Sequence, residues 1–305
     1  MQLLPIVLTG PTGVGKTVAA ILLAEYLHGE IINADSMQVY KGMDIGTAKP
    51  SRAEQLRVKH HLIDIVQPWE TFSCGKYLDY AAPLIESLIT KGIRPIIVGG
   101  SGLYIRALTE GLFKAPDADW SLRNYLMELE SIAPGTLYNK LKSMDTEAAS
   151  KIMENDLRRI VRALEVRLIS GKNITKLQRD LTTAPLPYRF IKICLTRQRD
   201  ELYCMINKRV DTMISLGLVE EVRQLISQNI AATPSQAIGY KEMFSYLKGE
   251  STLDLTIDAI KQGTRRYAKR QLSWFRQEKN LQWIDISGVF NGTEIFQIIK
   301  KVVIS

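Results

Sequence analysis

The chain has 305 residues and is poor in cysteine and histidine, with three of each. Cys74, Cys194 and Cys204 follow no pattern, which excludes a disulfide framework and fits a reducing, cytoplasmic setting. No metal-ligand spacing links His28, His60 and His61, which excludes a zinc site and points away from histidine chemistry. No apolar run is long enough to cross a bilayer. The first strand signal already starts at Leu3, so neither a membrane span nor a leader peptide is expected. Internal repeats and low-complexity segments are also missing. An acidic excess is absent throughout, and the basic excess is confined. Residues 1–110 hold ten basic and ten acidic side chains, whereas the remainder holds 30 and 22 and carries the whole net charge of +8. A neutral front joined to a basic rear suits a polyanionic partner such as nucleic acid, although surplus lysine also serves solubility alone.

The front third alternates apolar strand-like runs (Leu3–Thr9, Glu30–Ala34, His61–Val66, Arg94–Val98) with helical patterns such as Val18–Leu27 and Lys76–Thr90. That order predicts an α/β fold, a parallel sheet with helices on both faces and a ligand site beyond the carboxyl ends of the strands. From Trp120 to Gly171 the pattern is helical, broken around Pro134-Gly135 and Asn155-Asp156. Strand signals return at Arg189–Thr196 and Leu281–Ile286. The predicted organisation is a core of residues 1–116 and 190–305 interrupted by an all-helical insertion, 117–189.

Directly after the first strand stands Gly10-Pro11-Thr12-Gly13-Val14-Gly15-Lys16-Thr17, which fits the phosphate-loop pattern in the strand–helix setting that pattern requires. Its glycines let backbone N–H groups converge where an anion can sit on a helix N-terminus. Lys16 adds positive charge, and the Thr17 hydroxyl is a ligand for Mg2+. Asp35 ends the second strand and faces the same cleft. It suits a magnesium-bound water, a proton acceptor or a turn cap. The run Ser36–Pro50 is loop-like and dense in hydrogen-bonding side chains, which marks it for substrate contact. Gly99-Gly100-Ser101-Gly102 ends another strand and allows close backbone approach to a ligand, or simply a tight turn. No Asp closes that strand, so the usual second magnesium carboxylate of an ATPase is missing.

Two helices are basic. Arg158, Arg159 and Arg162 surround the apolar positions Leu157, Ile160, Val161 and Leu164. Along Ile257–Arg276, Lys261, Arg265, Arg266, Lys269, Arg270 and Arg276 line the sides away from Ile260, Thr264, Ala268, Leu272 and Phe275. Such faces suit a nucleic-acid backbone. Trp274 suits base stacking or core packing. On the residues alone, three readings remain open. They are a small-molecule kinase, an RNA-binding module with an inert loop, and an enzyme acting on RNA.

The strings GPTGVGKT, DSMQVYKGMDIGTAKP, HHLIDI, GGSGLY, NDLRRIVRALE, QAIGYKE and YAKRQLSWF, in that order along nearly the whole chain, resemble the bacterial tRNA dimethylallyltransferase family. The resemblance implies transfer of a dimethylallyl group from dimethylallyl diphosphate to the exocyclic amine of the adenosine 3′ to the anticodon, with release of diphosphate. By that analogy Gly10–Thr17 grips the diphosphate with Mg2+, and Asp35 is the general base. Ser101, where family members often carry Thr, then bonds near the reacting centre, and Arg209 faces the diphosphate. Contacts to tRNA are implied for Asp35, Ser36, Met37, Gln38 and Ser101, and for Arg123. They are implied further for Arg158, Arg159, Ile160, Val161 and Arg162, and for Gln236, Ala237, Ile238, Gly239, Tyr240 and Lys241. The basic helix adds Arg265, Arg266, Lys269 and Arg270. The expected partners are the tRNA anticodon stem-loop and dimethylallyl diphosphate, with no membrane, acting on a monomer. Whether ATP also binds the loop stays open at this point. Lys59 and Cys74 depart from the family outside its motifs, and the Cys/His finger of many eukaryotic relatives is absent.

Overall fold

A computed structural model describes residues 3–113, 116–180 and 184–304. The chain runs β1 (Ile6–Thr9), α1 (Lys16–Leu27), β2 (Gly29–Asn33), α2 (Arg52–Arg57), β3 (His60–His61), α3 (Cys74–Thr90), β4 (Arg94–Val98) and α4 (Gly102–Glu110). Helices α5 (Trp120–Ile132), α6 (Thr136–Met144), α7 (Thr146–Lys151), α8 (Leu157–Ser170) and α9 (Ile174–Asp180) follow. Then come β5 (Ile191–Thr196), α10 (Arg199–Ser215), α11 (Leu218–Ile226), α12 (Ala232–Ser235), α13 (Tyr240–Leu247), α14 (Leu253–Phe275), β6 (Gln282–Asp285) and α15 (Gly292–Ile304).

The six strands form one parallel sheet in the order β3-β2-β4-β1-β5-β6. Residue alternation sorts the strand side chains onto two faces. Ile6, Leu8, Ile31 and Ile96 join the apolar cluster built with α1 and α15. Val7, Ile32 and Ile97 join a second cluster with α3, α4 and residues of α10, α11, α13 and α14. Each such fully buried aliphatic side chain contributes about 1.5–3 kcal/mol. The predicted α/β class with helices on both faces is therefore what the chain forms. Because β1 lies between β4 and β5, the loops after β1, β2 and β4 open at one edge of the sheet, where ligands of such folds bind.

The expected strand His61–Val66 is cut to His60–His61. Leu62 and Asp64 take left-handed φ values of 60° and 56°, which ends the extended run. Beyond them, only Val66 regains a bridge, to Tyr40.

The chain divides into two compact units, one of residues 1–109 and 186–305 and the other Glu110–Pro185. This shifts the expected insertion of 117–189 at both ends. Phe113 packs against the helical unit's own core. Leu186, Tyr188 and Phe190 pack into the α/β core, and the Leu186 N–H donates to the Leu108 carbonyl at 3.3 Å. Residues 114, 115 and 181–183 lie outside the described ones.

Within the helical unit, the Trp120–Gly171 stretch breaks where expected and once more, at Asp145. That buried carboxylate caps α7 through the Ala148 N–H at 3.0 Å and accepts the Thr175 hydroxyl at 3.0 Å. A second buried acid, Glu165 on α8, receives Arg123 bidentately at 2.8 Å, Arg162 at 2.5 Å and the Asp119 N–H at 2.8 Å. Burial alone pushes this carboxyl upward, but the hydrogen bonds from Arg123 and Arg162 outweigh it and hold it below the usual glutamate range. Its stabilising effect is thus present above the ordinary carboxylate pKa and lost only as pH falls through that lowered value. Glu165→Gln leaves two guanidinium groups short of a counter-charge, and it is expected to lower stability by about 3 kcal/mol, measured by urea unfolding of the whole chain at neutral pH.

Candidate active site

Gly10, Gly13 and Gly15 all take positive φ, 139°, 80° and 107°. Gly10 also has no room for a side chain, since a Cβ there would meet the Leu195 carbonyl oxygen at 2.5 Å. The loop therefore turns as its glycines require, and α1 begins at Lys16. The Lys16 Nζ folds back on its own loop, donating to the Gly10 and Pro11 carbonyls at 2.9 Å each. Arg197 fixes the loop from behind. Its buried guanidinium donates to the Val14 carbonyl at 3.0 Å, to those of Ile286 and Val289 at 3.0 and 2.5 Å, and pairs with Glu201.

The loop forms one wall of a cleft of about 260 Å³. Thr12, Gly13, Gly15, Lys16, Thr17, Asp35, Gln38 and Arg209 line it, with an apolar share that includes Ala20, Ile31, Ile63 and Val98. Asp35 is the only acid among the described lining residues. Its position is set by Asn33, whose side chain accepts the Asp35 N–H at 3.1 Å and donates to the carbonyls of Asp35 and Leu62. One carboxylate oxygen of Asp35 accepts the Met37 N–H at 2.9 Å. The cap and the cleft-facing acid are thus one residue, with a second oxygen to spare.

Arg209, on α10, reaches the Thr12 hydroxyl and the Thr47 carbonyl, each at 3.5 Å. Burial draws its pKa down, and nearby Asp35 opposes this. Lys16 is lowered to about 8, first by burial and then by Arg209, against a smaller opposing pull from Asp35. Two crowded cations facing one carboxylate make a site short of negative charge, which an anion on the loop would supply.

Ser101 does not line the cleft. Its hydroxyl oxygen accepts the Ser36 N–H at 2.9 Å and ties the loop after Asp35 to the end of β4. The glycines around it serve packing as much as ligand approach. A Cβ would meet Ala34 O at 2.1 Å from Gly99, Gln271 Nε2 at 2.2 Å from Gly100 and the Trp274 ring at 2.2 Å from Gly102. Trp274 therefore packs under Gly102, with the Arg106 guanidinium 4.3 Å from its ring, and does not present itself for base stacking.

Of the residues expected at tRNA, Arg158, Arg159, Gln236, Lys241, Arg266, Lys269 and Arg270 are exposed. Others are not. Ile160 and Val161 belong to the helical unit's core, and Arg123 and Arg162 are engaged by Glu165. Gly239 and Tyr240 are buried, and Ala237 and Ile238 pack on the α/β core. Arg265 donates to Asn207 at 2.6 Å. The exposed cationic face of α14 is thus Arg266, Lys269 and Arg270, the last with its guanidinium 5.7 Å from the Tyr267 ring. Arg266→Ala with Lys269→Ala is expected to lower the salt slope of tRNA binding by about two if both meet phosphates, read from Kd against salt concentration.

Two lining residues stand inside the quoted strings, His60 in HHLIDI and Gln271 in YAKRQLSWF, without having been singled out as site residues. His60 lines the cleft, with its Nδ1 2.7 Å from the Val58 carbonyl oxygen. Gln271 accepts the Thr12 N–H and donates to the Gly100 carbonyl, both at 2.9 Å, so it bridges the phosphate loop and the β4 loop. A polar residue on the inward face of α14, between Ala268 and Phe275, was the available sign.

Comparison with known proteins gives the chain's relatives. The IPP transferase family model matches residues 38–278. A tRNA dimethylallyltransferase of Thermodesulfovibrio yellowstonii is 52% identical over 290 residues, 93% of this chain and 92% of the relative. One from Geobacter metallireducens is 46% identical over 94% of both. Among solved structures, a tRNA isopentenylpyrophosphate transferase of Bacillus halodurans aligns with a TM-score of 0.70 at 42% identity, over 99% of this chain and 97% of that one. A eukaryotic dimethylallyltransferase described as acting on tRNA aligns with a TM-score of 0.80 at 29% identity, over 98% and 79%. Sequence likeness of this depth over almost the full length admits one conclusion: the chain belongs to the IPP transferase family.

Proposed function

We propose that this protein transfers a dimethylallyl group from dimethylallyl diphosphate to the exocyclic amine of the tRNA adenosine 3′ to the anticodon. The observation that carries the reading is the meeting of Lys16, Arg209 and Asp35 in one cleft. The amine nitrogen bonds to the allylic carbon, the bond from that carbon to diphosphate oxygen breaks, and the amine proton passes to Asp35. Lys16, Arg209 and the loop N–H groups stabilise the charge that gathers on the departing diphosphate. Walls such as Ile31, Ile63 and Val98 suit an apolar five-carbon group and limit water, which would capture an allylic cation. Reaching such a cleft requires the adenine to leave its stack.

Among the described residues, no group of three or more His, Cys, Asp or Glu is placed to cage a metal. The cleft instead offers the Thr17 hydroxyl and Asp35, a set that fits Mg2+ held largely by phosphate oxygens and water. Bound there, the ion would supply further charge neutralisation for the leaving group. No described helix is long and apolar enough to cross a membrane, and the three cysteines are free. The proposal includes a cytoplasmic setting and a monomeric enzyme.

The test is incubation with unmodified tRNA, Mg2+ and dimethylallyl diphosphate, followed by mass analysis of the digested nucleosides. One prenyl increment on adenosine is the expected result. Unchanged nucleosides, or phosphoryl transfer from ATP to a metabolite, would overturn the proposal.

A further inference from the structure

Glu221, on α11, matches no motif and lies outside the cleft, yet its carboxylate accepts four hydrogen bonds. The Asp44 and Ile45 N–H groups donate at 3.0 and 2.7 Å, the Gly46 N–H at 3.0 Å and the Tyr240 hydroxyl at 2.6 Å. Three successive backbone donors thus converge on one acid, and a buried tyrosine completes its shell. Gly46 lies against the same tyrosine, because a Cβ there would meet the Tyr240 ring at 2.5 Å. Lys49, whose side chain is only 3% exposed, donates to the Tyr40 carbonyl at 2.8 Å and pairs with Asp44 and Asp64 at 2.5 Å each. The 44–49 turn is therefore held at both ends, by the Glu221 carboxylate on its N–H groups and by its own Lys49 ammonium, which closes on the Asp44 carboxylate and ties the turn to the Tyr40 carbonyl and Asp64.

This turn supplies part of the cleft wall. Thr47 and Ala48 line the cleft, and their carbonyls accept the Gln38 side chain at 3.1 and 3.3 Å. The Thr47 carbonyl is also one of the two hydrogen-bond acceptors that aim Arg209. A chain of contacts runs from Glu221 through the turn to the guanidinium placed for the diphosphate.

We propose that Glu221 and Tyr240 are positioning residues for the transfer reaction, holding the 44–47 turn so that Thr47 aims Arg209 at the donor's leaving group. This inference rests on the transferase reading above. It also gives the Gln236–Lys241 segment a second role, since Tyr240 acts from inside the α/β unit and not by touching RNA. The requirement for a group that only accepts is plain from the partners. All four donate, so a carboxamide must turn its NH₂ toward at least one of them.

The test measures steady-state transfer, with active sites counted by single-turnover burst, and tRNA binding at equilibrium. Glu221→Gln is expected to lower kcat about tenfold and raise KM for dimethylallyl diphosphate, while the tRNA Kd stays within about twofold. Tyr240→Phe, which keeps the ring and removes one hydrogen bond, gives the same pattern at about threefold. The double variant loses little more than Glu221→Gln alone, because the two act through one turn. Glu220→Gln, whose side chain pairs with Arg223 on the exposed side of α11, leaves all parameters unchanged. Normal rates per active site, with only a lowered melting temperature, would reduce the pair to a stabilising role and overturn the inference. So would a Tyr240→Phe defect confined to tRNA binding. Failure of the unaltered protein to transfer the prenyl group would instead overturn the function itself. If Glu221→Gln does not fold, the near-isosteric Tyr240→Phe decides the matter.

Discussion

Asp35→Asn is expected to lower kcat about 10²- to 10⁴-fold, the range general-base removal gives, while the tRNA Kd stays nearly constant. Asparagine is the informative replacement because Asp35 does two jobs. One carboxylate oxygen accepts the Met37 N–H and shapes the loop after β2. An amide oxygen accepts that bond equally well, so the loop survives and only proton acceptance is lost. Asp35→Ala removes both functions and should in addition weaken tRNA binding, since Ser36–Gln38 lose their anchor. Comparing the two variants in transfer assays and equilibrium binding separates base from cap. Asp35→Asn turnover equal to the parent's would remove Asp35 as the base.

The parts of the site that sequence makes legible are those whose chemistry and geometry are local. A phosphate loop needs its glycines, Lys16 and Thr17 within eight residues, between a strand and a helix, and no distant partner has to be known. Asp35 was readable for the same reason, as an acid at the carboxyl end of a strand in an alternating fold. The sheet's two faces followed from the apolar strand runs and the helices between them.

What escaped is long-range. Gln271 reaches Thr12 across 259 positions and Glu221 reaches Asp44 across 177, and no periodicity encodes such pairings. Arg162 reads as part of a basic face beside Arg158 and Arg159, because surface arginines and arginines drawn to a buried acid are alike in one dimension. Only the placement of Glu165 at zero exposure separates them. The HHLIDI string read as a strand because apolar content reports burial and not φ. The left-handed Leu62 and Asp64, with Asp64 turned to Lys49, are tertiary facts.

The same long-range crowding sets the second large effect, at Lys16. Free of ligand it titrates near pH 8, well below the ordinary lysine value of 10.5, because burial and Arg209 both disfavour its charge. An incoming diphosphate binds the ammonium form and raises that pKa. Donor affinity is therefore full below pH 8 and falls about tenfold per pH unit above it, until the pKa of the complex is passed. Folding stability responds with the opposite sign. Between 8 and 10.5 the unfolded chain holds the proton that the folded chain has lost, so this group adds to the unliganded protein's stability as pH rises. Calorimetric titration with dimethylallyl diphosphate at several pH values, in buffers of different ionisation heat, reads the affinity and the proton uptake together. Lys16→Arg keeps its charge throughout this range, so its affinity should no longer change between pH 8 and 10, even if its rate is lower. Lys16→Ala removes the charge altogether and is expected to cut kcat/KM about 10²- to 10³-fold, as loss of a leaving-group stabiliser does. A donor affinity that is flat through pH 8 in the unaltered protein would mean that Lys16 does not meet the diphosphate.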